Sequence, residues 1–272
     1  MKLLACLIIS LALATTLQGQ TPAATPNVDE AQVKQELDEA ARAYREGNFV
    51  DAQAHSERAL RLDPQNKKAP MFVARTIQAQ YKLGDNTLGN VAKAREAIVA
   101  YQRILERSPD DEESYKAVAY LYMEIKEDEL FREWVMQRAG NVSLPNEKRA
   151  VAFVVLAERD WDCSFKITEL PTNKVMTVDG NEEHFSYHMP KERDEFERAK
   201  ECANHGLEMA NTAISLTPEN ESAWSYKTSI IRELEKFAEM SGQVQRKREL
   251  HQQYEEALKQ TTKLSQRSKS NP

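Results

Sequence analysis

Five residues near the middle of the chain are of types that do chemistry: Cys163, His184, His188, Cys202 and His205. Thiolate sulfur and imidazole nitrogen are zinc ligands, so Cys202-x-x-His205 and His184-x-x-x-His188 are the places to look for a metal. Histidines four apart face one ion only on a helix, and the residues around His184 and His188 alternate as a strand does. The chain also lacks a second cysteine pair and a His-Glu-x-x-His motif. The expectation is therefore no metal site. A disulfide is the simpler reading of the cysteines. Cys6 falls in the N-terminal apolar run, which leaves Cys163 and Cys202 as an even pair, and such a pair bridges in an oxidising compartment. A bridge there closes a loop of about 40 residues and stabilises by a few kcal/mol in the chain-entropy picture.

Other chemistry finds little support. There is no Walker-type glycine loop, nucleophile-elbow motif or haem-attachment pair, and eight glycines are few for phosphate cradles. Acidic pairs such as Asp110-Asp111 and Glu182-Glu183 suit turns and helix starts, where carboxylates complement the helix dipole. His55 and His251 sit on ordinary helical faces. Neither catalysis nor a cofactor is expected. The alternative is a metal-binding or enzymatic protein built on segment 163–205.

The elements that hold these residues come in two kinds. Phe165, Ile167 and Glu169 alternate, as do Val175, Thr177 and Asp179, and Phe185 and Tyr187 follow after Asp179-Gly180. Glycine tolerates the positive φ of a tight hairpin turn. A β-hairpin insertion over 164–190 is the expectation, with the cysteines at its base. Elsewhere the period is helical. Gly47, Phe49, Ala52, Ala59 and Pro64 mark a turn, a helix with a small-residue face at Ala52, Ser56 and Ala59, and a stop. The pattern returns through Tyr81-Lys82-Leu83-Gly84, then Ala97, Tyr101, Ile104 and Pro109, with a long loop through Asn86, Gly89 and Asn90. A third unit carries Tyr115, Val118, Ala119 and Tyr122, then Phe131, Trp134 and Val135. A fourth is split: a helix from Asn146 to Trp161, the insertion, then a helix over 192–216 closing at Pro218. Trp224 opens a fifth, and a helix over 243–263 follows Ser241-Gly242.

On these residues the chain resembles tetratricopeptide repeat proteins, whose period is 34 residues. The resemblance covers residues ~30–263. It implies an all-α, right-handed α-solenoid of about five helix pairs, with repeats near 33–66, 70–111, 112–145, 146–218 and 219–263, the last with a capping helix. Stacked repeats of this kind present extended surfaces to other proteins. Carried over by register, the first helices line the groove with Lys34, Leu37, Tyr44 and Arg45, then Gln78, Tyr81 and Lys82, then Lys116, Tyr120 and Met123. Tyrosine and arginine are good anchors because they join apolar area to a polar tip. The family's carboxylate clamp wants Lys and Asn where Leu37 and Ala41 stand, so capture of a chaperone C-terminus is not expected. The partner is a protein or peptide, with some acidic character to match the Lys and Arg.

The first 20 residues are a unit of their own. Lys2 precedes the apolar run from Leu3 to Ala14, and small and polar residues follow, as in a secretory signal peptide. The run is short of the ~20 residues that span a bilayer. Leu3-Leu4-Ala5-Cys6 has no apolar run before it and is not read as a lipobox. Residues 21–30 are expected as a leader and 264–272 as a disordered tail. Acidic and basic residues mix to a net charge of −6, which gives no basic stripe for nucleic acid. Asn141-Val142-Ser143 and Asn220-Glu221-Ser222 fit the glycosylation pattern, which also arises by chance. The sequence thus predicts an exported, periplasmic or extracellular scaffold for a protein partner.

Overall fold

The computed structural model describes residues 29–180 and 182–270, so the signal-peptide segment and most of the leader lie outside the described residues. Five helix pairs follow one another: α1 (Glu30–Arg45) with α2 (Phe49–Leu62), α3 (Ala69–Gln78) with α4 (Leu88–Arg107), and α5 (Glu112–Glu124) with α6 (Asp128–Gly140). Then come α7 (Asn146–Thr168) with α8 (Arg193–Leu216), and α9 (Glu221–Met240) with α10 (Val244–Ser270). The hairpin β1 (Lys174–Asp179) and β2 (Glu182–Tyr187) stands between α7 and α8. This is the expected all-α solenoid with a small two-stranded insertion.

Local chemistry sets the ends of these helices. Asp29, Asp111 and Asn220 each accept a hydrogen bond from the backbone N–H three residues on, which satisfies a donor the first turn leaves orphaned. Gly47 turns α1 into α2 with φ +79°, a conformation that costs glycine nothing. The same turn between α5 and α6 has Lys126 at φ +58° instead. Ala52, Ser56 and Ala59 are fully buried, so the small-residue face does let the neighbouring helix approach.

Three boundaries differ from expectation. Helix α7 runs to Thr168, so Phe165, Ile167 and Glu169 are not strand residues and the insertion begins after 168, not at 164. The reason is a buried helical face: Ser164, Ile167 and Thr168 point into the core. Helix α4 begins at Leu88, which takes Gly89 and Asn90 out of the expected loop. Asn90 is buried and closes the preceding turn, accepting from Lys82 N–H at 2.8 Å and donating to the carbonyls of Lys82 and Asp85. Helix α10 continues to Ser270, so residues 264–270 of the expected disordered tail are helical. Leu250, Ala257 and Leu264 are buried at seven-residue spacing, a seam that carries the helix past 263.

The core falls into separate clusters. Val33, Ala59 and Ala69 form a small one at the N-terminal end. Ile77, Ile98, Tyr101 and Leu121 belong to a second, across α3, α4 and α5. The third is continuous from Phe131 in α6 to Ala257 in α10. Helix α7 packs on both α8 and α9. No helix among the described residues is long and apolar enough to cross a membrane.

Candidate partner-binding face

Of the residues expected to bind a partner, Tyr44, Arg45 and Gln78 sit at the ends of first helices, Tyr81 and Lys82 in the turn after α3, and Lys34, Lys116 and Tyr120 within α1 and α5. Tyr44 is 39% exposed near the end of α1 and meets the Phe49 ring edge-on at 5.3 Å. Arg45 beside it is exposed. Tyr81 is half-buried and Lys82 exposed, but both lie beyond the end of α3 in the turn that Asn90 holds. Lys116 and Tyr120 are exposed on α5, as is Met123. Two candidates are otherwise engaged. The Tyr101 hydroxyl donates to Gln78 Oε1 at 2.6 Å, and Leu37 packs against the N-terminal cluster. Lys34 is exposed and paired with Asp38 at 3.2 Å.

Electrostatics link some of these residues in two local groups. Arg75 on α3 donates twice to Glu113 on α5, at 2.5 Å each, and this raises the guanidinium's already high pKa. The Tyr44 and Tyr101 phenols are near enough to act on the same guanidinium. Burial raises the Tyr101 phenol strongly, so it is a neutral donor to Gln78. One turn further, burial raises the Tyr81 phenol, and Glu124 and Tyr120 add to the rise. Tyr44, Arg75 and Glu113 are thus grouped, as are Tyr81, Tyr120 and Glu124. Arg45 and Lys116 have no carboxylate partner among the described residues, while Lys82 acts on Asp85.

Sequence reasoning missed a second set of aromatic residues. On α7, Trp161 and Phe165 lie with ring centroids 4.9 Å apart, and Tyr226 of α9 lies 6.1 Å from Trp161. Lys236 of α9 sits 5.3 Å from the Phe165 ring and 4.7 Å from the Tyr187 ring of β2. The signal was present, since 161 and 165 are one helical turn apart. Reading Phe165 as the start of a strand hid it.

Beneath that row lies a polar lock. Glu233 is 2% exposed and accepts from Thr168 at 2.7 Å, Ser164 at 3.2 Å and Lys236 at 2.6 Å. Lys236 also donates to Glu169 at 2.7 Å. Burial alone would raise the Glu169 carboxyl, but Lys174, Lys236 and Tyr187 hold it at about 2. Burial, with Glu169 adding to it, pushes the Tyr187 phenol up to about 12. The base of the hairpin is therefore fixed to α9, while Met176 and Val178 on the same face project clear of it, 54% and 63% exposed.

The Cys163 and Cys202 sulfurs lie 2.09 Å apart, which is disulfide distance, and join α7 to α8 below the hairpin. The histidines do not converge. His205 bonds through Nδ1 to Asp160 at 2.6 Å, and Asp160 is held by Arg132 at 2.8 Å. His184 lies opposite Thr177 on the hairpin. Among the described residues no three His, Cys, Asp or Glu side chains could hold a metal ion.

No family model and no curated protein matches the sequence. Solved structures do. The MamA RS-1 ArsTM double mutant is 13% identical, with 88% of this chain and 98% of that one covered and a TM-score of 0.43. MamA from Desulfovibrio magneticus RS-1 is 13% identical over 88% and 97%, with a TM-score of 0.36. A tetratricopeptide repeat protein from Parabacteroides merdae is 15% identical over 87% and 93%, with a TM-score of 0.35.

Proposed function

We propose that this chain is an exported, non-catalytic scaffold that holds a protein partner on the concave face of its first helices. One observation carries the reading. Tyr44, Arg45, Tyr81, Lys82, Lys116 and Tyr120 come from three consecutive pairs, and all are exposed or half-exposed. Amphipathic and cationic side chains in that setting are the usual anchors of an interface. Arg45 and Lys116, lacking carboxylate partners among the described residues, favour a segment with acidic side chains.

Export to a periplasmic or extracellular space rests on the pattern over residues 1–20. A cysteine pair at disulfide distance is consistent with it. The experiment is affinity capture from the source's own envelope extract, comparing the chain with a Tyr44→Ala/Tyr81→Ala/Lys82→Ala variant. A partner held by the first and lost by the second supports the reading. Equal capture by both moves the interface elsewhere.

A further inference from the structure

A cavity lies between the first and second helix pairs. It opens between the loop after α2 and the C-terminal half of α4, with a volume of about 720 Å³. Ligand pockets occupy roughly 300–1,000 Å³, so the size is that of a small-molecule site. Its floor is apolar: Leu60 of α2, Met71 and Val73 of α3, and Ile104 of α4, all half-buried. These side chains are covered on one side by the solenoid and open to solvent on the other.

The rim is cationic. Lys67 stands on the loop, and Arg103 and Arg107 stand one turn apart on α4. Arg107 is fixed in place, donating to the Pro64 carbonyl at 3.1 Å. Lys67 and Arg103 have no hydrogen-bond or ion-pair partner among the described residues. The opposing charges are Glu106 and Asp111. Asp111 is committed as the cap of α5, accepting from Ser114 N–H at 2.8 Å. Lys67, Arg103 and Arg107 outnumber Glu106 and Asp111 by one charge, so the rim is net positive over an apolar floor.

We propose that this cavity binds a single-tailed anionic amphiphile. The tail covers Leu60, Met71, Val73 and Ile104, and the anionic head sits between Lys67 and Arg103. A carboxylate and a phosphate share the needed charge. An isolated apolar patch would take any tail; the two uncommitted cations select the sign of the head.

The test uses the full chain and photoactivatable diazirine analogues of dodecanoate, dodecyl phosphate and dodecyltrimethylammonium, with cross-links located by mass spectrometry. Saturable labelling at Met71, Val73 or Ile104 by either anionic probe, with the cationic probe weak, is the expected result. Whichever anion saturates at lower concentration identifies the head as fatty acid or phospholipid-like. A Lys67→Glu/Arg103→Glu variant changes exposed charges only and should need about tenfold more anionic probe. Ala100→Phe fills the cavity and should abolish labelling there, with the melting temperature reporting that the chain still folds. Labelling elsewhere, equal labelling by the cationic probe, or saturation unmoved by charge reversal would each overturn the proposal.

Discussion

The first three helix pairs and the last two are built differently. Helices α1 to α6 are 10 to 20 residues long; α1 to α5 bury two modest clusters, and α6 gives Phe131, Val135 and Ala139 to the third. Ion pairs between pairs there, such as Arg75–Glu113, are half exposed. Helices α7 to α10 are 20 to 27 residues long and share one continuous core. They also hold the buried Glu233–Lys236 pair and the cysteine pair. Repetition of small packing residues suffices where each pair needs only its neighbour. An interrupted pair needs fixed points, and α7, the hairpin and α8 obtain them from buried charge and sulfur. The difference has a functional side: the adaptable half carries the candidate anchors, and the locked half carries the hairpin.

Breaking the lock should have the largest effect. Glu233→Ala leaves Lys236 buried with one of its two carboxylate partners and should cost about 3–5 kcal/mol. Urea unfolding measures it, and hydrogen exchange should place the loss in α7 to α9. A cost under ~1 kcal/mol would mean the pair behaves like a surface bridge. Replacing both Cys163 and Cys202 by Ala should cost ~2–4 kcal/mol, given a sequence separation of 39, again by urea unfolding.

Acid should act on the same half first. The Glu169 carboxyl is depressed in the folded chain to about 2, so its stabilisation is complete above the unfolded value near 4.5. It is lost as pH falls from there through the folded value. A fall of the order of 2–3 kcal/mol between pH 5 and pH 2 is expected from this group, and Glu169→Gln should flatten that part of the profile. Chemical denaturation at stepped pH shows whether it does.

Glycine substitutions should separate the halves more finely. A Cβ on Gly206 would meet Asp160 Cβ at 2.9 Å and Ile230 Cδ1 at 3.1 Å, so Gly206→Ala should destabilise by about 1–3 kcal/mol. Gly89 in α4 has nothing within 4 Å of such a Cβ, and Gly89→Ala should stabilise by up to ~1 kcal/mol. Thermal melts of the two variants, moving in opposite directions, would bear this out.

What was legible follows the same division. Gly47, the Ala52–Ser56–Ala59 face and Tyr101 are read from spacing because each holds a fixed place in the repeat. The hairpin turn at Asp179-Gly180 was legible for the same reason, and Gly180 has φ +63°. The extent of α7 was not, because Ser164 and Thr168 look like strand or loop residues until Glu233, 65 or more positions away, is brought to them. Gln78 looked free until Tyr101 arrived from the next helix. The N-cap role of Asn220, one of the two glycosylation-like asparagines, is likewise a matter of local geometry.

The central claim is that a partner rests on the first-helix face. Hydrogen exchange of the chain, alone and with the partner obtained by capture, tests it most directly. Protection is predicted over residues 75–82 and 116–124, with the hairpin strands 174–187 unchanged. Protection confined to the hairpin, with 75–82 and 116–124 exchanging as in the free chain, would contradict it.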